Sequence, residues 1–255
     1  MVNRLIQVCV AAVALVYLCQ LAGGYRSTTL SGVGRESRRA NYALQTPGET
    51  ILLSDDFNQN AIDPGKWMAN NLFSGFTDAS VTVAAAAQQL SIGPLKQGTG
   101  GSHYNGLRSA ATFSFSGAYC YVQVVTPPAS NTAGDAMLTV GPDVNNYYRM
   151  YIESGNLVVQ RKAGGSKAVL FSGAYNGSSE KYIRIRHDGT SGNVIFEVAT
   201  DGGGVPGSWS AIYSEPWSSS ISMSGVIFEI KAGTWQAEAN PPGTAVFDNF
   251  KAARP

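Results

Sequence analysis

The stretch Tyr147-Tyr148-Arg149-Met150-Tyr151-Ile152-Glu153 is followed by Ser154-Gly155-Asn156 and then by residues 157–162, Leu-Val-Val-Gln-Arg-Lys. Tyr148, Met150 and Ile152 fall on every second position, with Tyr147, Arg149, Tyr151 and Glu153 between them. A period of two puts these sets on opposite faces of a β-strand. A Ser-Gly-Asn break between two such runs is a hairpin signal. The stretch therefore reads as one arm of an antiparallel hairpin, with an apolar face toward a core and a tyrosine- and arginine-rich face turned away from it.

The same alternation extends in both directions. Short strands are predicted over 80–83 and 89–92, and a longer one over 113–125, broken by Gly117. Residues 136–140 lead through Gly141-Pro142 into the quoted stretch, and 169–172 follow it. Residues 182–187 turn at Asp188-Gly189 into 194–200; 226–231 and 244–251 close the chain. From Ile51 onward no segment keeps a helical period. Roughly a dozen strands at this spacing predict an all-β fold, a two-sheet antiparallel jelly-roll sandwich over 49–255. The 29 glycines and 11 prolines suit its many tight turns. At 255 residues, 44% of them hydrophobic, the chain has ample material for one large core.

The N-terminal part reads differently. Residues 1–24 have the layout of a secretory signal: Arg4, an apolar run from Leu5 to Leu18 interrupted by Gln7, then Ala22-Gly23-Gly24 before Tyr25. An uncleaved signal anchor is the alternative, since residues 5–22 would span about 27 Å as a helix. Either way the protein is exported, to be secreted or held at the cell surface or in the periplasm. Residues 25–48, rich in Ser, Thr, Gly and Arg without a period, read as a flexible linker.

The overall charge of +1 conceals an asymmetry: residues 1–48 hold five arginines against one glutamate, and the remainder holds 13 basic and 16 acidic residues. A mildly acidic domain has no electrostatic pull toward nucleic acid. Membrane contact is expected only through the N-terminal segment. Cys120 is the sole cysteine beyond Cys9 and Cys19, so the domain has no internal disulfide. Its place in the alternation reads as a small buried hydrophobe.

The faces opposite the predicted core carry Tyr147, Arg149 and Tyr151, then Tyr182, Arg184 and Arg186, then Glu197, then Glu229 and Lys231. If these strands share one sheet, its outer face is a surface of tyrosine, arginine and carboxylate. A sugar ring offers apolar C–H faces and hydroxyl edges, so a glycan site wants an aromatic platform beside fixed polar groups. Trp235 and Glu238, delivered past Gly233, are candidates for its rim. Tyr104, Asn105 and Arg108 are candidates from the glycine-rich stretch around His103. Cross-strand ion pairing on an ordinary exposed face is the competing account.

Several short motifs together resemble a known group: Leu53-Ser54-Asp55-Asp56-Phe57, Ile62-Asp63-Pro64-Gly65-Lys66-Trp67, the stretch 147–153, Thr200-Asp201-Gly202 before Trp209, and Phe247-Asp248-Asn249-Phe250. Their order over about residues 50–252 is similar to that in the concanavalin A-like lectin/glucanase superfamily, in particular its laminin-G-like bacterial members. The resemblance implies a two-sheet jelly roll with a curved sheet whose outer face forms a glycan-binding groove. It also implies a structural calcium ion near the domain's ends, where Asp56 and Asp248 would be ligands through hard oxygen donors. Hydrolases of the group usually carry catalytic carboxylates on alternate residues of one strand, as in Glu-x-Asp-x-x-Glu. Here Glu229-Ile230-Lys231 has lysine at the second such position, and Glu197-Val198-Ala199 has alanine.

No Gly-x-Ser-x-Gly elbow, zinc-type Cys/His cluster or phosphate-cradling glycine loop is present. The function expected from sequence is a non-catalytic glycan-binding domain. The alternatives are an adhesive module that binds protein or self-assembles, and a polysaccharide hydrolase or lyase.

Overall fold

The computed structural model describes residues 48–255. The predicted signal or anchor segment and nearly all of the predicted linker lie outside the described residues. Within them the chain is all β, with fifteen strands and no helix.

One sheet is built outward from two central strands, β7 (Gly134–Asp143) and β14 (Ile227–Thr234). Beyond β7 runs a meander of β8 (Asn146–Glu153), β9 (Asn156–Ala163) and β10 (Ser166–Ala174). Beyond β14 lie β5 (His103–Ser109) and β2 (Trp67–Ala69). The second sheet runs β13 (Ser210–Pro216), β12 (Asn193–Ala199), β11 (Tyr182–Asp188), β6 (Tyr119–Thr126), β15 (Ala245–Arg254), β4 (Gln89–Ile92) and β3 (Val83–Ala86). β1 (Thr50–Asp55) makes it eight-stranded by pairing with β15. All pairings are antiparallel.

The core lies between the sheets and follows the predicted phases. Tyr148, Met150 and Ile152, then Val226, Phe228, Ile230 and Ala232, face Ile183, Ile185, Val194, Phe196 and Val198. Each large side chain buried here contributes about 1.5–3 kcal/mol. Cys120 is fully buried among them, and burial pushes its thiol well above the ordinary range. Trp67 plugs one end, edge-on to Phe250 at 4.9 Å, its indole N–H donating to Asp55 Oδ2 at 2.8 Å.

Six segments depart from the sequence reading. The strand expected over 80–83 is instead β3, which starts at Val83 and turns through Ala87 and Gln88, both at positive φ. Phe113 forms only an isolated bridge to Val226, and β6 starts at Tyr119, after the Gly117 break. The stretch around His103 opens strand β5, which like β1, β2 and β13 has no counterpart in the alternation.

The most consequential difference concerns sheet membership. β8 and β14 lie in the seven-stranded sheet, whereas β11 and β12 lie in the eight-stranded one. After β10 the chain crosses over, and β11 pairs with β6 and β12. The two tyrosine- and arginine-rich faces are therefore the outer faces of different sheets.

Candidate functional site

Register places the outer face of the seven-stranded sheet in rows that cross the strands. One row runs Arg108, Glu229, Thr139, Arg149 and Gln160, and the next Gly106, Lys231, Met137, Tyr151 and Val158. A third runs Tyr104, Gly233, Asp135, Glu153 and Asn156. The face is not open to solvent as the alternation alone implies. Glu229 and Thr139 are fully buried, and Asp135, Lys231, Arg149 and Gln160 are at least nine-tenths buried.

Burying this much charge requires partners. Glu229 finds them in the segment that follows Asn70 and lies over this end of the sheet. Its Oε2 accepts from the backbone N–H groups of Phe73 (2.8 Å) and Ser74 (3.2 Å), and its Oε1 accepts from the Ser74 hydroxyl. Ser74 Oγ in turn accepts from Lys231 Nζ at 2.5 Å and from Arg149 Nη2 at 3.0 Å. Lys231 Nζ also lies 3.5 Å from Glu229. Arg149 Nε donates to Thr139 Oγ1, and its guanidinium stacks over the Tyr147 ring at 4.4 Å.

Glycine is required on both sides of Lys231. A Cβ at Gly106 would stand 2.1 Å from the Ile230 carbonyl oxygen, and one at Gly233 would stand 2.4 Å from Tyr104 Cδ1. The bare Gly233 backbone lets the Tyr104 ring lie against it, 5.2 Å from Lys231 Nζ, with its hydroxyl donating to Asp135. Tyr104 also packs on Met137, Tyr151 and Val158, an apolar cluster separate from the main core.

The titrating groups of this face are displaced. Burial, reinforced by the neighbouring negative charge of Glu153, pushes the Asp135 carboxyl up to about 8. Burial, reinforced by the positive charge of Arg149, brings the Lys231 ammonium down to about 7. Asp135 Oδ1 and Gln160 Oε1 are buried without a hydrogen-bond partner. At the rim, Trp235 is 50% exposed and donates its indole N–H to Glu153, and Glu238 accepts from Gln236.

No protein-family model matches the chain, and no curated protein matches it. Solved structures do. A structure from work on endo-acting O-glycanases of the human gut microbiota that initiate mucin breakdown superposes with a TM-score of 0.58 at 13% identity, over 81% of this chain and 100% of that one. β-Agarase A in complex with oligoagarose gives 0.58 at 11% identity, over 82% and 94%. The CBM2 module of the evolved Dit of Lactobacillus casei BL23 phage J-1 gives 0.53 at 13% identity, over 80% and 95%. The fold shared with these structures is a two-sheet antiparallel β-sandwich.

The sandwich separates the sequence-predicted ligand-binding residues into three groups. Tyr104, Arg108, Tyr147, Arg149, Tyr151 and Glu229 share the outer face of the seven-stranded sheet, with Trp235 and Glu238 on the segment that follows β14. Asn105 is on β5 but fully buried, its amide donating to Asn70 Oδ1 and to the Val81 carbonyl. Arg184 and Arg186 lie on the other sheet, where both donate to Glu197 Oε2, at 2.6 and 3.3 Å. Arg184 also stacks over Trp209 at 3.9 Å. Sequence reasoning named neither Asp135 nor Gln160. Their places were available from the phase of β7 and β9, but their unpartnered atoms were not.

Asp56 and Asp248 do come into each other's field. The Asp248 carboxyl is raised to about 6, by burial first, then by the charges of Asp56 and Asp55. Both Asp56 oxygens accept from Asn58. Among the described residues no group of three or more His, Cys, Asp or Glu is arranged to hold a metal ion. Calcium at this pair would need backbone carbonyl or water oxygens to complete its shell.

Proposed function

We propose that the protein is a carbohydrate-active jelly roll that holds a glycan chain against the outer face of its seven-stranded sheet. The observation that carries this reading is the half-exposed Trp235 and the partly buried Tyr104, set over a buried apolar cluster of Met137, Tyr151 and Val158 that is separate from the main core and bordered by Lys231, Arg149 and Asp135. Sugar rings stack on apolar and aromatic surface while their hydroxyls bond to fixed polar groups, and Trp235 supplies an exposed aromatic beside the cluster. Glycan names among structurally similar proteins agree with this reading.

Cleavage of the bound chain is favoured over passive binding by one feature. A lysine near 7 and a carboxyl near 8 flank one tyrosine on this face. Groups displaced toward neutrality are suited to proton transfer near neutral pH. Hydrolysis by paired carboxylates fits less well. Glu229 lies opposite Thr139 and Asp135 is four residues further along β7, roughly 13 Å in a strand. Glycosidase carboxyl pairs stand about 5–9.5 Å apart.

The test is a panel of immobilised glycans probed with the full chain and with Trp235→Ala. Retention on at least one glycan, weakened about tenfold by the substitution, is expected for loss of an aromatic stacking contact of ~1.4 kcal/mol. A folded protein retained by none refutes the reading. New chain ends in the same glycans after incubation decide for cleavage, and their absence for binding alone.

We also propose a structural calcium ion at Asp56 and Asp248. The support is that the half-buried Asp248 carboxyl feels the negative charge of Asp56, which a bound cation would relieve.

A further inference from the structure

At one end of the same face the charges do not balance. Arg149 on β8 stands next to Tyr147, which pairs with Lys162 on β9, and Lys162 pairs with Lys167 on β10. The three cations are close enough that Arg149 and Lys162 both depress the Lys167 ammonium, after burial has begun to do so. Among the described residues none of the three forms an ion pair. The nearest carboxylate in the rows, Glu229, is already engaged by Phe73, Ser74 and Lys231.

Arg149 is only 6% exposed, yet its hydrogen bonds use only Nε and Nη2, on the hydroxyls of Thr139 and Ser74. Lys162 donates only to the Val144 carbonyl, and its ammonium lies 5.9 Å from the Tyr147 ring. Gln160, register partner of Arg149, is buried with an unpartnered amide oxygen. Three like charges held together without a counter-charge repel one another, and the cost falls mainly on Arg149, the one of the three that is buried away from water. The arrangement becomes favourable when an anion sits among them. The second sheet, by contrast, meets its paired arginines with Glu197.

We infer that the glycan held on this face is acidic, its anionic groups received by Arg149, Lys162 and Lys167 at the β8–β10 end while a ring further along the chain lies against Trp235. This rests on the glycan reading above and names the class of chain. The anion is a uronate carboxylate or a sulfate ester, since a guanidinium and two ammonium groups accept either.

The experiment measures affinity of the full chain for four polysaccharides of similar length: a polyuronate, a sulfated galactan, agarose and a neutral β-glucan. Tighter binding to an acidic chain is expected, by tenfold or more if one charge-assisted contact is gained, and it should fall as NaCl rises. The better of the two acidic chains identifies carboxylate or sulfate. Lys162→Ala/Lys167→Ala, on residues at the partly exposed edge of the sheet, should remove the preference and leave neutral binding unchanged, with an unaltered unfolding curve. Equal, salt-insensitive binding to neutral and acidic chains overturns the inference and leaves the glycan reading standing. Binding to none of the four by the folded protein removes both.

Discussion

Replacing Asp135 by Asn should change how stability depends on pH. Asp135 is 2% exposed and its carboxyl is raised from 3.8 to about 8, by burial first and then by Glu153. The folded state therefore keeps a proton that the unfolded state has released above pH 4. Stability follows the difference in bound protons, so this group's contribution is fully present below its unfolded pKa and is lost as pH rises toward 8. One proton over nearly three units, from pH 5 to pH 8, at 1.36 kcal/mol per unit amounts to about 3–4 kcal/mol. Asparagine is neutral throughout, close in shape, and can still accept from the Tyr104 hydroxyl. Urea unfolding of both proteins at pH 5, 6, 7 and 8 measures the effect. The wild type should lose about 3–4 kcal/mol relative to Asp135→Asn across that range. Curves that run parallel from pH 5 to pH 8 would mean that Asp135 is ionised in the fold, and would refute the argument from burial.

Glu229→Gln keeps the shape of the anchor beneath Phe73 and Ser74 but removes the charge facing Lys231. Leaving the buried Lys231 ammonium uncompensated should destabilise the fold by about 3–5 kcal/mol in chemical unfolding. The Phe73 and Ser74 amides should also exchange faster with solvent, and unchanged protection there would show that the segment is held by something else. At the proposed calcium pair, excess calcium should raise the melting temperature and chelator should lower it. An unchanged melting temperature in both would remove the ion.

How much was legible follows from what each strand offers the core. β8 announces itself because Tyr148, Met150 and Ile152 all face inward and each intervening residue is polar or aromatic. β5 does not, because its inward side includes Asn105, a polar residue satisfied by Asn70 and the Val81 carbonyl. Both faces of that strand then look polar in sequence, and only the coordinates reveal the bonds that make it buriable. The turn after β3 was silent for a related reason: Ala87 and Gln88 adopt positive φ without the glycine or asparagine that signals it, while Asn60 Oδ1 accepts from the Gln88 amide. Alternation also says which side of a strand faces inward but not which sheet receives it. That choice is made by long-range pairing, here β11 with β6, a distance no local pattern encodes.

This explains why residues of the same types have opposite fates on the two outer faces. On the eight-stranded sheet, Arg184 and Arg186 converge on Glu197, Lys251 on Glu49, and Arg184 is sandwiched by Trp209 and Tyr119. That face satisfies its own charges, so nothing further is needed to hold it. On the seven-stranded sheet the carboxylate of Glu229 is committed to holding Phe73 and Ser74, and Asp135 carries a proton near neutrality, so two of the acids that would balance the cations do not. The imbalance at Arg149, Lys162 and Lys167 is thus a consequence of how the acids are used, not of their number. A charge excess made this way is not visible in composition, because the domain as a whole is slightly acidic. It is a property of one face, and a ligand that brings its own negative charge is the partner for which that face is complementary.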